Sequence, residues 1–265
     1  MKNSRRGNYI KSNSFQGHFK ETSRPYCSSF FNMDKSEVIK RLKKMGNPKL
    51  TLDREKKFGV VATNALGITV KDLKELAREI KMNSSLALEL FDSGIYEARI
   101  LCSKLFYPKD LTPELMEKWV QTFDNWEICD SFCMTVFSRS PLALKKINEW
   151  SSREPEFEKR AAFATMAAYC LADKKAANPV FESFFPLILE AATDERLYVK
   201  KAVNWALRSI GKRNIDLNKE AIKLSERIIL IHSKSAQWIA KDALKELKGE
   251  NVRISDYPRS IYRPS

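Results

Sequence analysis

The stretch Val199-Lys200-Lys201-Ala202-Val203-Asn204-Trp205-Ala206-Leu207-Arg208 sets the reading of the whole chain. Its apolar residues recur at helical spacing, inside a helix expected over 195–211. Lys201, Trp205, Arg208 and Lys212 fall on one face of that helix, because steps of four, seven and eleven residues return to the same side. A helix with an apolar stripe and a cationic stripe packs on a neighbour along the first and meets solvent or an anion along the second.

Similar helices precede and follow it. Thr112-Pro113, Ser140-Pro141, Glu154-Pro155 and Asn178-Pro179 each set a proline at the head of an apolar-periodic run. Proline fits there because its missing N–H has no intrahelical partner in the first turn. Thr69, Thr193 and Ser233 have the side chains of further N-caps. The pattern predicts helices over 35–45, 53–65, 70–81, 84–92, 95–106, 113–123, 125–137, 141–152, 155–171, 180–192, 195–211, 217–230 and 234–248. Glycine is scarce, at 8 residues, and no stretch alternates as a strand does, so the fold class is all-α.

Five of these helices align on one charged position: Glu97-Ala98-Arg99, Ile128-Cys129-Asp130, Glu158-Lys159-Arg160, Val199-Lys200-Lys201 and Ile239-Ala240-Lys241. The spacings are 31, 30, 41 and 40 residues, near the period of about 40 that HEAT-like repeats show. The expected architecture is therefore a HEAT-like helical-repeat solenoid, an α-α superhelix with a basic concave face. Arg99, Asp130, Arg160, Lys201 and Lys241 then point into one groove; ordinary solvated positions are the alternative.

Composition bounds the function. The chain has 265 residues, 43% of them hydrophobic, which suits a packed core. Lys and Arg number 47 against 33 Asp and Glu, a formal charge of +14. That surplus favours a polyanionic partner, nucleic acid first and an anionic membrane surface second, or else a solvated basic surface. No apolar run is long enough to span a membrane. Cys27, Cys102, Cys129, Cys133 and Cys170 are odd in number and irregular in spacing, unlike a secreted disulfide framework. A reducing, intracellular compartment is expected: cytoplasm or nucleoid, or a nucleus in a eukaryote. Residues 1–33 are rich in Ser, Asn, Lys and Arg with Glu21 as their one acid. They read as a disordered basic arm, an organelle-targeting segment, or an artefact of start choice, since Met33 can open a chain. Residues 34–250 form the repeat domain, and 251–265 read as a tail in which Pro258 and Pro264 break any helix.

Asp130 is the one acid among the five groove positions. Neighbouring cations should keep it ionised, and a lone acid there repels phosphate, which suits it to handling positive charge. Trp126 lies four residues before it on the same face, and Trp205 lies four after Lys201. Both tryptophans are either groove residues or core residues, whereas Trp119, Trp150 and Trp238 read as core or inter-repeat packing. Arg160, Lys159, Arg99, Lys200, Lys201, Arg208, Lys212, Arg213 and Lys241 form a basic track suited to phosphates and to salt-sensitive binding. Cys129 and Cys133, at i and i+4, have no nearby His or further Cys, so no metal site is expected; His18 and His232 lie apart.

Asn64-Ala65-Leu66-Gly67-Ile68, Tyr96-Glu97-Ala98-Arg99, Asn125-Trp126-Glu127-Ile128-Cys129-Asp130, Phe157-Glu158-Lys159-Arg160 and the Val199–Arg208 stretch together resemble the AlkD-type DNA alkylation repair proteins. The resemblance spans Lys35 to Lys248. It implies a DNA glycosylase releasing 3-methyladenine and 7-methylguanine from alkylated double-stranded DNA; a monomer without a cofactor is expected. It implies recognition through the backbone, without a tight base-flipping pocket. It places Asp130 and Trp126 in the active site, with Trp205 at the lesion's sugar and Arg160 one repeat on. The chemistry suits these residues: an N3- or N7-alkylated purine is a cationic leaving group, and its loss develops oxocarbenium character on the sugar. A carboxylate stabilises that cation, indole faces favour it, and no general acid is needed. Two other readings remain: a non-catalytic HEAT module that binds distorted or branched DNA, and a protein-binding scaffold.

Overall fold

The computed structural model describes residues 33–62 and 64–264, so the expectations for residues 1–32 lie outside the described residues. The helices are α1 (Lys35–Met45), α2 (Pro48–Phe58), α3 (Val70–Ile80), α4 (Ser84–Phe91), α5 (Tyr96–Leu105), α6 (Pro113–Val120), α7 (Trp126–Thr135) and α8 (Ala143–Trp150). They continue as α9 (Glu156–Ala172), α10 (Asn178–Glu182), α11 (Phe185–Ala191), α12 (Leu197–Gly211), α13 (Ile215–Ile228), α14 (Lys234–Leu247) and α15 (Arg259–Tyr262).

Helices α3, α5, α7, α9, α12 and α14 pack successively side by side as one layer. Helices α4, α8, α11 and α13 pack behind α5, α9, α12 and α14 as a second layer. The five aligned triplets fall on α5, α7, α9, α12 and α14, so the period read from sequence is the inner layer of a helical solenoid. The spacing widens after α9 because α9 itself runs 17 residues and is followed by two short helices, α10 and α11, and because α12 and α13 run 15 and 14 residues where α6 and α8 run 8. Pro186 stands at the second position of α11 and cannot donate into a preceding turn, which is why the helix expected over 180–192 divides.

Local chemistry sets the other ends. Thr69, Thr112 and Ser233 accept the N–H of the third helical residue, as caps do. The helix expected over 53–65 runs instead from Pro48 to Phe58, started by Asn47-Pro48 with Asn47 as cap and ended by Gly59 at φ +64°. Thr193 is not a cap; Arg196 holds that place ahead of α12. Residues 251–265, read as a tail without a helix, carry α15 and are tied to the last repeats. There Ser255 and Tyr257 donate their backbone N–H to the carbonyls of Lys212 and Arg213, and the Tyr262 hydroxyl donates to Asp216 at 2.7 Å.

The core runs the length of the layers. Trp119 and Trp150 are wholly buried, and Trp119 packs against Phe91, Phe106 and Phe132. Behind them Glu117 accepts from Lys146, Arg153 and the Trp150 indole. Burial alone would raise that carboxyl, but these hydrogen bonds hold it down at about 2.

One buried acid organises the N-terminal end. Glu97 has no exposed surface. It accepts the backbone N–H groups of Leu66, Gly67 and Ile68 at 2.8, 2.8 and 3.2 Å and the Arg54 guanidinium at 3.1 Å. The 64–68 loop is thus a nest of N–H donors wrapped on a carboxylate. Gly67 adopts φ +79°, and a Cβ there would lie 2.0 Å from the Asn47 carbonyl oxygen, so no other residue fits. Glu97→Ala removes one of the partners of Arg54 and leaves the N–H groups of Leu66, Gly67 and Ile68 without their acceptor, and is expected to lower unfolding free energy by roughly 3 kcal/mol, measured by urea denaturation. A loss within about 0.5 kcal/mol, the range of ordinary surface substitutions, would show that the nest is dispensable.

Candidate functional site

On α7 the residues turned from the outer layer are Trp126, Glu127, Asp130, Ser131 and Met134, none of them fully buried. Asp130 keeps 17% of its side-chain surface exposed. It does not stand alone among cations, as its sequence position suggests. Arg160 grips it as a fork, Nε to Oδ1 at 3.0 Å and Nη2 to Oδ2 at 2.7 Å. The third arm, Nη1, donates to the Tyr198 carbonyl at 2.6 Å. One guanidinium therefore joins α7, α9 and the first turn of α12.

The electrostatics differ from the simple expectation. Burial raises the Asp130 carboxyl above its ordinary value, and the charge and hydrogen bonds of Arg160 oppose that rise. Burial would lower Arg160, yet the attraction of Asp130 outweighs it and the guanidinium is held more firmly charged. Arg160 itself is 6% exposed, so its first role is to hold the carboxylate rather than to meet a phosphate.

The tryptophans occupy both of the environments that sequence left open. Trp126 and Trp205 are half-buried, packed against the core along one edge. Trp126 also forms one wall of a cleft of about 440 Å³, with Leu50, Arg54, Lys57, Ile68 and Glu127. Arg54 joins this site to the Glu97 nest, since its Nε pairs with Glu127 at 3.2 Å and the Tyr96 hydroxyl donates to the same carboxylate at 2.7 Å. Tyr198 stacks near Phe157 and donates to the Gly59 carbonyl at 3.4 Å, bringing the loop after α2 across to α12.

The basic track is partly engaged within the protein. Lys159 pairs with Asp194 at 3.2 Å, while Arg208 and Lys212 both reach Glu246 at 2.6 Å. Arg99 donates to Thr122 and lies over Phe91; burial lowers it and Asp124 offsets part of that. Lys200 sits over the Trp238 ring, and Lys201 and Lys241 are exposed. Arg213 departs from the expected track altogether. It is 1% exposed, donates to the carbonyls of Cys170 and Ala176, and lies 4.0 Å from the Phe181 ring centroid, so it ties the core rather than a ligand. Trp238, expected in the packing, is 40% exposed. Cys102, Cys129, Cys133 and Cys170 are buried free thiols, and burial pushes Cys170 up to about 12.

Sequence reasoning passed over Arg54, Glu127, Tyr198 and Lys104. Lys104 is half-buried on α5 with its Nζ 3.4 Å from Ser131 Oγ. Burial, then the charge of Lys74, lower its amine to about 8 against Glu127, which raises it.

Together, the paired layers define a helical-repeat solenoid of the HEAT-like class, with a fork-held aspartate on its inner layer. Residues 38–247 match the DNA alkylation repair enzyme family, and the chain belongs to it. No curated protein matches it. A solved structure described as a new family related to the HEAT-like repeat DNA glycosylases, with affinity for branched DNA structures, is similar at 18% identity and TM-score 0.69. That likeness covers 84% of this chain and 97% of the other. The smu.31 protein from Streptococcus mutans is similar at 18% identity and TM-score 0.52, over 82% and 98% of the two chains. AlkD2 from Streptococcus mutans is similar at 21% identity and TM-score 0.51, over 75% and 97%. These likenesses show the fold.

Two measurements follow from the geometry. Arg160→Met leaves the buried Asp130 carboxylate without a partner and is expected to lower stability by about 3 kcal/mol, whereas Asp130→Leu with Arg160→Met recovers much of it. Equal losses in the single and double variants would show that the two side chains are not coupled. For Lys104, the folded chain releases the proton near 8 and the unfolded chain near 10.5. Between those values the unfolded state binds more protons, so the parent gains stability as pH rises through that window. Denaturation of the parent and of Lys104→Met across pH 7 to 10.5 should show the variant's relative advantage shrinking; a constant gap would contradict the depressed amine.

Proposed function

We propose that the protein hydrolyses the N-glycosidic bond of cationic alkylated purines, such as 3-methyladenine and 7-methylguanine, in double-stranded DNA. The observation that carries this reading is the Asp130 carboxylate, fixed in orientation by the Arg160 fork yet partly exposed on the inner layer beside Trp126. A fixed carboxylate costs no reorganisation when positive charge develops on the deoxyribose.

In the reaction the bond from C1′ to the base nitrogen breaks, and the base leaves with the electron pair as a neutral alkylpurine. The sugar carries the resulting cation, facing Asp130 and an indole face of Trp126 or Trp205. Water adds to C1′, and its proton passes to Asp130 or to solvent. The cationic base needs no protonation to leave, so this step asks for no general acid. Exposed Lys201 and Lys241 on the same layer suit the DNA backbone, with double-stranded DNA as the partner. Intracellular action, on DNA, goes with this reading.

A second reading draws on a specific feature. Arg160 engages both oxygens of Asp130, and a similar structure is described by its affinity for branched DNA. A carboxylate so neutralised also suits a solenoid that binds distorted DNA without cleaving it.

Base release from methylated duplex DNA separates the two. The parent is expected to liberate 7-methylguanine or 3-methyladenine, and Asp130→Asn to release at least about a hundredfold less while binding duplex DNA at least as well. Equal release by both proteins would remove Asp130 from the chemistry. No release by either, with salt-sensitive binding retained, would establish the non-catalytic reading.

A further inference from the structure

Helices α12 and α14 carry the same pattern at the same spacing. On α12 it is Lys201, Trp205, Arg208 and Lys212; on α14 it is Lys234, Trp238, Lys241 and Lys245. Each tryptophan stands four residues after a lysine, three before a basic residue and seven before another lysine. These steps keep every member on one helical face.

The structure fixes which face that is. On α14 the opposite side, Ala236, Ala240, Ala243 and Leu247, is buried where the helix packs on α13 of the outer layer. The side toward α12 holds Asp242 and Glu246, which meet Arg208 and Lys212, and Ile239, whose carbonyl accepts from Asn204. Lys234, Trp238, Lys241 and Lys245 are therefore turned away from the outer layer, toward the side that also presents Lys201 and Trp205. All four are exposed.

The two copies differ in what already engages them. Trp205 is half-buried, and Arg208 and Lys212 are occupied by Glu246. Trp238 is exposed at 40%, and no ion pair among the described residues includes Lys234, Lys241 or Lys245. Lys200 Nζ stands 5.8 Å from the Trp238 ring centroid, which holds cationic charge against the indole. An indole with 40% of its surface in solvent, set among lysines, has the make-up of a stacking platform flanked by phosphate ligands.

We infer that the inner face of α14 is a second DNA contact, in which Trp238 stacks on an unpaired base and Lys234, Lys241 and Lys245 hold the adjoining phosphates. This rests on reading the inner layer as a DNA interface but not on base release. The indole supplies a sequence-tolerant contact that only an unstacked base can satisfy, while the lysines bind any strand. The surface thus favours DNA with a bulge, branch or opened pair over perfect duplex.

The test is fluorescence anisotropy with a labelled perfect duplex and with the same duplex carrying a bulge of unpaired nucleotides. Trp238→Ala is expected to weaken binding to the bulged DNA by about tenfold and to change binding to the perfect duplex by less than about twofold, from the usual worth of base stacking on an aromatic. Trp238→Phe, which keeps a ring, should restore most of the preference. Lys241→Glu with Lys245→Glu should weaken both DNAs and flatten the salt dependence. Unchanged affinity in Trp238→Ala, or an equal loss on both DNAs, would overturn the inference. If the parent bound neither DNA, the reading of the whole inner layer as a DNA interface would fall with it.

Discussion

The Arg160 guanidinium holds three helices of the inner layer at once, through both oxygens of Asp130 on α7 and the Tyr198 carbonyl at the head of α12. It can do so because α9 is lined with small residues. Ala161, Ala162, Ala164 and Ala167 are fully buried, which lets α7 and α12 approach α9 closely from both sides. A bulkier helix would move the neighbours apart and break the fork. The same close approach that builds the solenoid therefore sets the position of the carboxylate proposed to act on the sugar.

A second ion-paired centre places the N-terminal helices against that site. Glu97 on α5 collects the 64–68 loop and Arg54; Arg54 then reaches Glu127, next to Trp126. The wall of the cleft beside Trp126 is thus positioned by a chain of charged groups rather than by apolar packing alone. Buried charged networks of this kind tolerate little substitution, because removing one member strands the others. They fix the geometry of the face on which Asp130 and Trp126 lie.

Much of this was legible in the sequence, for identifiable reasons. The inner helices could be found because each repeat shows the same triplet and each needs an apolar side against its neighbours. Misplaced boundaries arose where two prolines went unused: Asn47-Pro48 starts α2, and Pro186 divides α10 from α11. The pairing of Asp130 with Arg160 was not legible. Their charges were read separately, and nothing in a spacing of 30 residues says that two side chains meet. Arg213 looked like its neighbour Lys212, but the chain turns at the end of α12 and carries the guanidinium into the core over Phe181. Trp238 looked like core because a helical tryptophan usually is; its place on the face of α14 turned away from the outer layer, among exposed lysines, leaves the ring exposed.

The most direct test of the central claim, that Asp130 is placed to meet positive charge on the sugar, needs no cleavage. It compares binding to two duplexes, one carrying a neutral tetrahydrofuran in place of a nucleotide and one carrying a cationic pyrrolidine there. The parent is expected to prefer the cationic analogue by about a hundredfold, as enzymes prefer mimics of their transition states, and Asp130→Asn to lose that preference. Equal affinity of the parent for both analogues, or the same preference in Asp130→Asn, would contradict the placement of the carboxylate at the reacting sugar.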